Sequence, residues 1–455
     1  MKPASKQAYA LMHEGALALT RMEQIGMPID VPGLDAAIIR IQDQIKENEA
    51  ALRDMPEYRE QRKKYGIKAK IGSREQLADI LYNVMGYENP TINPENGNIM
   101  LDDSILRDIG SDYTKLFQRT QKLHKLCSTY LQGIRKEVCG NRVHGFFNLH
   151  RVVTYRSSSG SPNLQNIPIR DPDIGSVIRS VIKPNDPNNV IVEIDYSALE
   201  VHIAACYHKD PVMIEYLETG HDLHKDMAIE CYRLDKSEKP IRTQIKSGFT
   251  FSVFYGDYFA SIARNLWKFA QKHTMESGTL LESHLRSKGI IHLGNEDAMT
   301  PDSFMQHIHD VEKRFWEQRF PVYGRWRKDF YLNYLRNGHF YTHTGFRVWG
   351  VFKRNEVINS PVQGAAFHCL LKSIIQITKQ LAAKKMKSRL FCQIHDSLLA
   401  EVPREELDDY IALATDTMTR WLRTQWPWII VDLKTEVEVG DSWANKKPYT
   451  RKEHE

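Results

Sequence analysis

The sequence is poor in the features that mark membrane, secreted and low-complexity proteins. No stretch reaches the roughly 18 uninterrupted apolar residues of a membrane span, and Met1-Lys2-Pro3-Ala4-Ser5 lacks the apolar segment of an export signal. A soluble, unexported chain in the cytoplasm, with no membrane partner, is the expectation. Six cysteines (Cys127, Cys139, Cys206, Cys231, Cys369, Cys392) are scattered without C-x-x-C spacing, which argues against a zinc site and a disulfide framework and suits a reducing compartment. Gly/Ser-rich tracts, Pro-rich tracts and internal repeats are missing, so linker-rich and solenoid designs are excluded. Charge of one sign is also scarce: 62 Lys and Arg against 57 Asp and Glu leave a net charge of +5. That excess is too mild by itself to name a polyanion partner.

What is present is an ordered, core-forming composition, 42% hydrophobic and 10% aromatic over 455 residues, long enough for two or three subdomains. From Val31 to about Met55, Leu34, Ile38, Ile41, Ile45 and Leu52 recur at helical spacing behind Pro32. A basic loop follows (Arg59, Arg62, Lys63, Lys64, Lys68, Lys70, Arg74), with Ser73 and Gln76 as a capping box for a helix through Met85. A third helix, roughly Tyr113 to Val138, carries Lys115, Arg119 and Lys122 as a basic stripe able to track a phosphate backbone or to form a solvated face. Past Cys139-Gly140 the pattern shifts to strand and loop, and about Pro211 to Leu335 reads as a helical insertion.

Two acidic motifs flank that insertion. Val190-Ile191-Val192-Glu193-Ile194-Asp195 alternates like a half-buried strand, which places Asp195 at the strand's C-terminal mouth before a helix from Ala198 to Tyr207. Phe391 to Val402 is two apolar runs hinged on His395-Asp396, a β-hairpin with Asp396 at its tip. Alone, each aspartate reads as a cap or turn former. Together, two carboxylates on neighbouring turns can hold two divalent cations roughly 3.5–4 Å apart for an in-line phosphoryl transfer. Hard oxygen ligands favour Mg²⁺.

With the flanking residues included, the chain resembles the family A DNA polymerases, the bacterial polymerase I and phage replicative group, from about residue 25 onward. Asp195-Tyr196-Ser197-x-x-Glu200 is similar to the first palm motif, Arg242-x-x-x-Lys246 with Phe251 and Tyr255-Gly256 to the fingers helix, and His395-Asp396 to the second palm motif. Thr154, Arg156, Asn163-Leu164-Gln165-Asn166-Ile167-Pro168 and Asn359-Ser360-Pro361-Val362-Gln363-Gly364 extend the match.

The resemblance implies an α+β, right-hand polymerase fold: an antiparallel-sheet palm, helical fingers and a helical thumb. Its divisions are an N-terminal extension at 1–19, thumb at 20–140, palm at 141–210 and 336–455, and fingers at 211–335. It implies a template-directed DNA polymerase that extends a primer 3′ hydroxyl on primer–template DNA with deoxynucleoside triphosphates. Asp195, Asp396 and the Tyr196 carbonyl would bind two Mg²⁺ ions, with Mn²⁺ able to take their place. Arg242 and Lys246, one helical turn apart, would face the triphosphate; Phe251 and Tyr255 would meet the nucleotide and templating base; Glu200 would crowd a ribose 2′ hydroxyl. Arg156, Thr154, Asn163, Gln165, Asn359, Gln363 and His395 would line the primer–template. The short length without nuclease domains suggests a phage or mobile-element replication enzyme, in the bacterial host cytoplasm if phage-encoded, or one paired with a separately encoded nuclease or replication factors.

Departures are informative. Nine steps separate Lys246 from Tyr255, one more than the bacterial pattern, and on an ideal helix Phe251 lies about 180° from Arg242 while Phe249 lies within about 20° of it. Either a one-residue bulge near Gly248 restores Phe251 or Phe249 is the nucleotide-facing ring; the bulge is the favoured expectation. Ala198 and His202 replace polar and basic residues, and Ser397 stands where bacterial members carry a further acid, leaving two carboxylates. The first 140 residues offer no Asp-x-Glu motif, so neither a 3′–5′ nor a 5′ nuclease is expected. Three rivals remain: a single-subunit RNA polymerase, which needs an open sugar pocket where Glu200 stands; a metal phosphohydrolase, suggested by His395-Asp396 and His221-Asp222-Leu223-His224; and a non-catalytic binding protein derived from a polymerase.

Overall fold

The alternating run at Val190 becomes the central strand of a five-stranded sheet in the computed structural model, which describes residues 2–88, 92–93, 97–168 and 172–450. Strand order across the sheet is Arg389–Ile394, Ser397–Pro403, Asn189–Tyr196, Thr435–Gly440, Lys447–Pro448, and each neighbouring pair is antiparallel. The architecture is α+β.

Both faces of this sheet are covered over most of their length, which is why its strands read as nearly continuous apolar runs. Val190, Val192, Ile194 and Tyr196 share an apolar body with Leu370, Leu371 and Ile374 of the long helix Arg354–Ala383. On the opposite face Ile191 and Leu399 join Leu34, Leu126, Ile178 and Trp443 in a second body. Period-two geometry puts Glu193 and Asp195 on this second face, beyond the apolar cover.

Of the three helices expected in the first 140 residues, Val31–Arg53 starts on Asp30, whose carboxylate accepts from the Gly33 amide at 3.2 Å, with Pro32 in the first turn. The third is continuous in three pieces, Asp112–Lys125, Leu126–Leu131 and Gln132–Glu137. Ser73 caps Arg74–Asp79 by accepting from the Gln76 amide at 3.2 Å. The basic run expected as a loop is helical over Pro56–Tyr65, because Pro56 is preorganised for a helix start and Gly66, at φ +55°, ends it.

The boundary expected after residue 19 falls inside the helix Lys6–Ile25. Ser5 opens that helix by accepting from the Ala8 amide at 3.1 Å, and Gly26 at φ +69° closes it. Its stripe Leu11, Leu19 and Met22 is buried with the long helix Arg354–Ala383, and at Gly15 an added Cβ would stand 2.8 Å from Leu371 Cδ2. The first residues are therefore structural cover for the sheet. Between the sheet's segments, Pro211 to Asn337 is a largely helical body around Phe249, Phe304, Phe315 and Phe320. No helix among the described residues is long and apolar enough to cross a membrane.

Candidate active site

Antiparallel register brings the two aspartates together. Ser397 pairs with Asp195 across the ladder, so the turn residue before it, Asp396, lies against the end of the Asp195 strand, and the Tyr196 amide donates to the Asp396 carbonyl at 3.4 Å. The hairpin turn is two residues long, with His395 at φ +54° and exposed. The Tyr196 side chain points into the core, where its hydroxyl donates to the Met418 carbonyl at 2.7 Å, fixing the backbone on which Asp195 sits. Burial, then the Asp396 charge, then Glu193 and Glu436, push the Asp195 carboxyl up to about 7. Burial also raises Asp396, with His395 and Arg156 pulling the other way. Two carboxylates that resist ionising side by side make a site short of positive charge.

The helix above this pair contains the extra residue. Lys239–Ile245 runs into a π-helical turn over Lys246–Thr250 and resumes as Phe251–Tyr255. Such a turn absorbs one residue, about 100° of rotation, and so brings Phe251 to about 40° from Lys246 instead of about 140°. The ring centre of Phe251 lies 5.7 Å from Lys246 Nζ and 6.3 Å from the Tyr255 ring. Phe249, by contrast, is fully buried against Phe315, centroids 5.7 Å apart. Phe251 rather than Phe249 lines the cavity between this helix, the helix Leu199–His208 and the long helix Arg354–Ala383, with Glu200, Tyr255, Asn359 and Gln363.

Glu200, in the first turn of Leu199–His208, binds both sides of that cavity: it accepts from the Tyr255 hydroxyl at 2.5 Å and pairs with Arg156. Asn359 donates to the Tyr255 carbonyl at 2.9 Å and Asn355 to the Gly256 carbonyl at 2.8 Å, so two amides of the long helix hold the C-terminus of the Phe251–Tyr255 helix. Thr154 and Gln165 sit a layer behind. Gln165 is buried and donates to Ser157 Oγ at 2.9 Å, which also accepts from Gln393 next to the hairpin turn. Asn163 is exposed and accepts from the Gln165 amide at 3.1 Å. Gly364 lies under the Thr154 carbonyl, where a Cβ would clash. These residues hold the strap that carries Arg156.

Several partners are not evident from spacing. Glu436 pairs in register with Asp195 on the side away from Ser397, accepts from Ser197 Oγ at 2.8 Å, and with Glu193 supplies carboxylates that the local motif, with its Ser397, lacks. Arg242 is occupied by Asp222, Nε to Oδ2 2.5 Å, while Asp222 also caps the helix Leu223–Tyr232. His224 stands edge-on to Phe251 at 5.6 Å, and Arg242 and Lys246 help burial push its pKa down to about 4. The signal was His221-Asp222-Leu223-His224, which in isolation suggests metal ligation; the fold turns it toward the basic pair. No group of three His, Cys, Asp or Glu among the described residues is arranged to hold a metal ion.

With this geometry in place, comparison with known proteins is specific. Residues 40–445 match the model of DNA polymerase family A. DNA polymerase I of Bacillus subtilis (strain 168) is 27% identical over 438 residues, covering 95% of this chain and 45% of that protein. The DNA polymerase of Bacillus phage SP01 is 28% identical over 382 residues, covering 77% of this chain and 38% of its own length. This chain therefore spans less than half the length of these curated relatives. Among solved structures, the POL domain of Pol1 from M. smegmatis, in complex with DNA primer-template and dNTP, superposes with a TM-score of 0.74 at 22% identity, covering 95% of this chain and 70% of that one. The likeness extends to the whole right-hand fold.

Proposed function

The chain belongs to DNA polymerase family A, and from that membership we propose that it is a template-directed DNA polymerase adding deoxynucleoside triphosphates to a primer 3′ hydroxyl. The observation that carries this is the placement of Asp195 and Asp396 side by side beneath a helix presenting Arg242, Lys246, Phe251 and Tyr255. The thumb would begin after the helix Lys6–Ile25 that covers the sheet and run to about 140, with the fingers at 211–335 between the two palm segments.

The donor chemistry at the aspartates fits hard divalent cations, since burial and mutual repulsion leave the pair demanding positive charge. Asp195, Asp396 and the Tyr196 carbonyl would hold two Mg²⁺ ions, which when bound acidify the primer hydroxyl and neutralise charge on the departing pyrophosphate. Glu436 and Glu193 add negative potential behind Asp195. Lys246 and Arg242 receive the triphosphate oxygens, Arg242 after leaving Asp222, with His224 beside them as a neutral donor. Phe251 stacks on the nucleotide and Glu200 excludes a 2′ hydroxyl. Arg156, Asn359 and Gln363 touch the shared minor-groove acceptors of a correct pair, and His395 the primer end. Because Tyr255 bonds Glu200 while Asn359 holds its carbonyl, the templating base must displace Tyr255 for the helix to close, an induced-fit gate on the chemistry.

Primer extension tests the proposal. Asp195→Ala and Asp396→Ala should each abolish nucleotide addition while primer–template binding, read by anisotropy, persists; residual extension near the parent rate refutes the assignment. Equal incorporation of ribo- and deoxynucleotides would instead favour an RNA polymerase.

A further inference from the structure

The three bodies of this fold touch one another in a closed circuit, and the three joints differ in kind. Thumb residues Leu34 and Leu126 share an apolar core with palm residues Ile191 and Leu399. Fingers residues Phe249 and Tyr323 share another with palm residues Ile203 and Val362. The thumb also reaches the fingers, through Asp108 Oδ1 and Lys272 Nζ at 2.6 Å, with side chains 62% and 71% exposed. Two joints are cores; the third is a solvated ion pair, weak by itself and weakened further by salt.

The third joint stands beside a basic groove. Asp108 belongs to the short helix Asp103–Ile109, whose Arg107 lines that groove with Arg40, Lys115, Arg119 and Lys122. On the other side, Lys272 lies just past the helix Phe259–Ala270, in step with Lys268 and Arg264 at four-residue intervals. Lys268 and Arg107 reinforce Lys272 in holding the Asp108 carboxyl below its ordinary value. The ion pair thus stands between the basic groove of the thumb and the cationic face of a fingers helix.

We propose that the Asp108–Lys272 pair is a gate that closes thumb, palm and fingers into a ring around double-stranded nucleic acid, opening for loading and holding the enzyme on during synthesis. This rests on the polymerase reading above. Because the gate is ionic, added salt opens it, so retention should fall faster with salt than phosphate contacts alone require.

The test uses the full chain with Cys139→Ser, which removes the exposed cysteine and leaves five buried, plus Asp108→Cys and Lys272→Cys joined by a short bismaleimide. Cross-linked before mixing, the protein should extend a primer on short linear DNA within twofold of its uncross-linked form, yet lose at least tenfold on a primed, covalently closed single-stranded circle. Cross-linked after loading on the circle, it should survive a high-salt wash that strips the uncross-linked form. Equal extension of circle and linear DNA by the pre-closed protein overturns the ring; so does loss of linear extension on cross-linking, which would make the bridge a block. A charge exchange gives an independent arm: Lys272→Glu should shorten retention on the circle about threefold or more at unchanged single-nucleotide addition, and Asp108→Lys added to it should restore retention. Lack of restoration also overturns the gate. If the uncross-linked protein fails to extend linear primers at all, the polymerase reading fails, separately from the ring.

Discussion

Replacing Asp195 by Asn should make the metal-free protein more stable, although it removes one of the two carboxylates proposed to hold the metal ions. The carboxyl of Asp195 is held at about 7 against an ordinary 3.8, first by burial and then by Asp396, Glu193 and Glu436. An unfolded chain releases that proton near its ordinary pKa, whereas the folded chain keeps it until pH 7. Between those values folding takes up a proton, so stability falls as pH rises, and the full cost is present above pH 7. A displacement from 3.8 to about 7 corresponds to about 4 kcal/mol at 1.36 kcal/mol per pH decade, and partial solvent screening of this half-buried group brings the expectation to about 2 kcal/mol. Asn keeps the shape and removes the charge. Urea unfolding in chelator at pH 8.5 should show Asp195→Asn about 2 kcal/mol more stable than the parent, with a clearly smaller gap at pH 5. Saturating Mg²⁺ should then stabilise the parent and leave the variant unmoved. An Asn variant equal to or less stable than the parent at pH 8.5 without metal would refute the claim that the carboxylates repel one another in the folded site.

The π-helical turn predicts a division of labour between two rings. Phe249→Ala should cost about 3–5 kcal/mol in unfolding because Phe249 is fully buried, whereas Phe251→Ala should leave stability within about 1 kcal/mol and raise the nucleotide KM several-fold; loss of nucleotide affinity with Phe249→Ala alone, at intact stability, would reverse the assignment. Asp222→Asn keeps a helix cap but frees Arg242, so steady-state kinetics should show a lower nucleotide KM, and a KM raised tenfold would mean that Asp222 orients Arg242 rather than competing for it. Gly256→Ala combines φ +88° with a Cβ in collision with Asn355, so it should slow pre-steady-state nucleotide addition while leaving primer–template affinity nearly intact. Glu200→Ala should raise ribonucleotide incorporation relative to deoxynucleotide incorporation; an unchanged ratio in competition assays would remove Glu200 from sugar selection.

How much of this was legible before folding depends on the range of the interaction. The Asp195 strand and the His395-Asp396 turn rest on patterns over a few residues and the helix carrying Arg242 and Lys246 on the resemblance, and each element is found where it was expected. Even the misfit of nine steps between Lys246 and Tyr255 was informative, because an α-helix turns at a fixed rate; of the two ways to accommodate the surplus residue, the structure takes the π-helical turn around Gly248. The basic run at Arg59 to Arg74 was misplaced as a loop, since charge describes a surface and not a backbone conformation.

The sequence by itself therefore determined most local elements and, through ordered motifs, the family, and it singled out the two aspartates as candidates. Tertiary structure alone decided which residues became neighbours: Glu436 opposite Asp195, Asp222 on Arg242, His224 beside Phe251, the first helix across the sheet, and Asp108 on Lys272. Those choices follow from strand register and from burial of apolar faces against distant partners, and no period within a short window encodes a partner that arrives from another part of the chain.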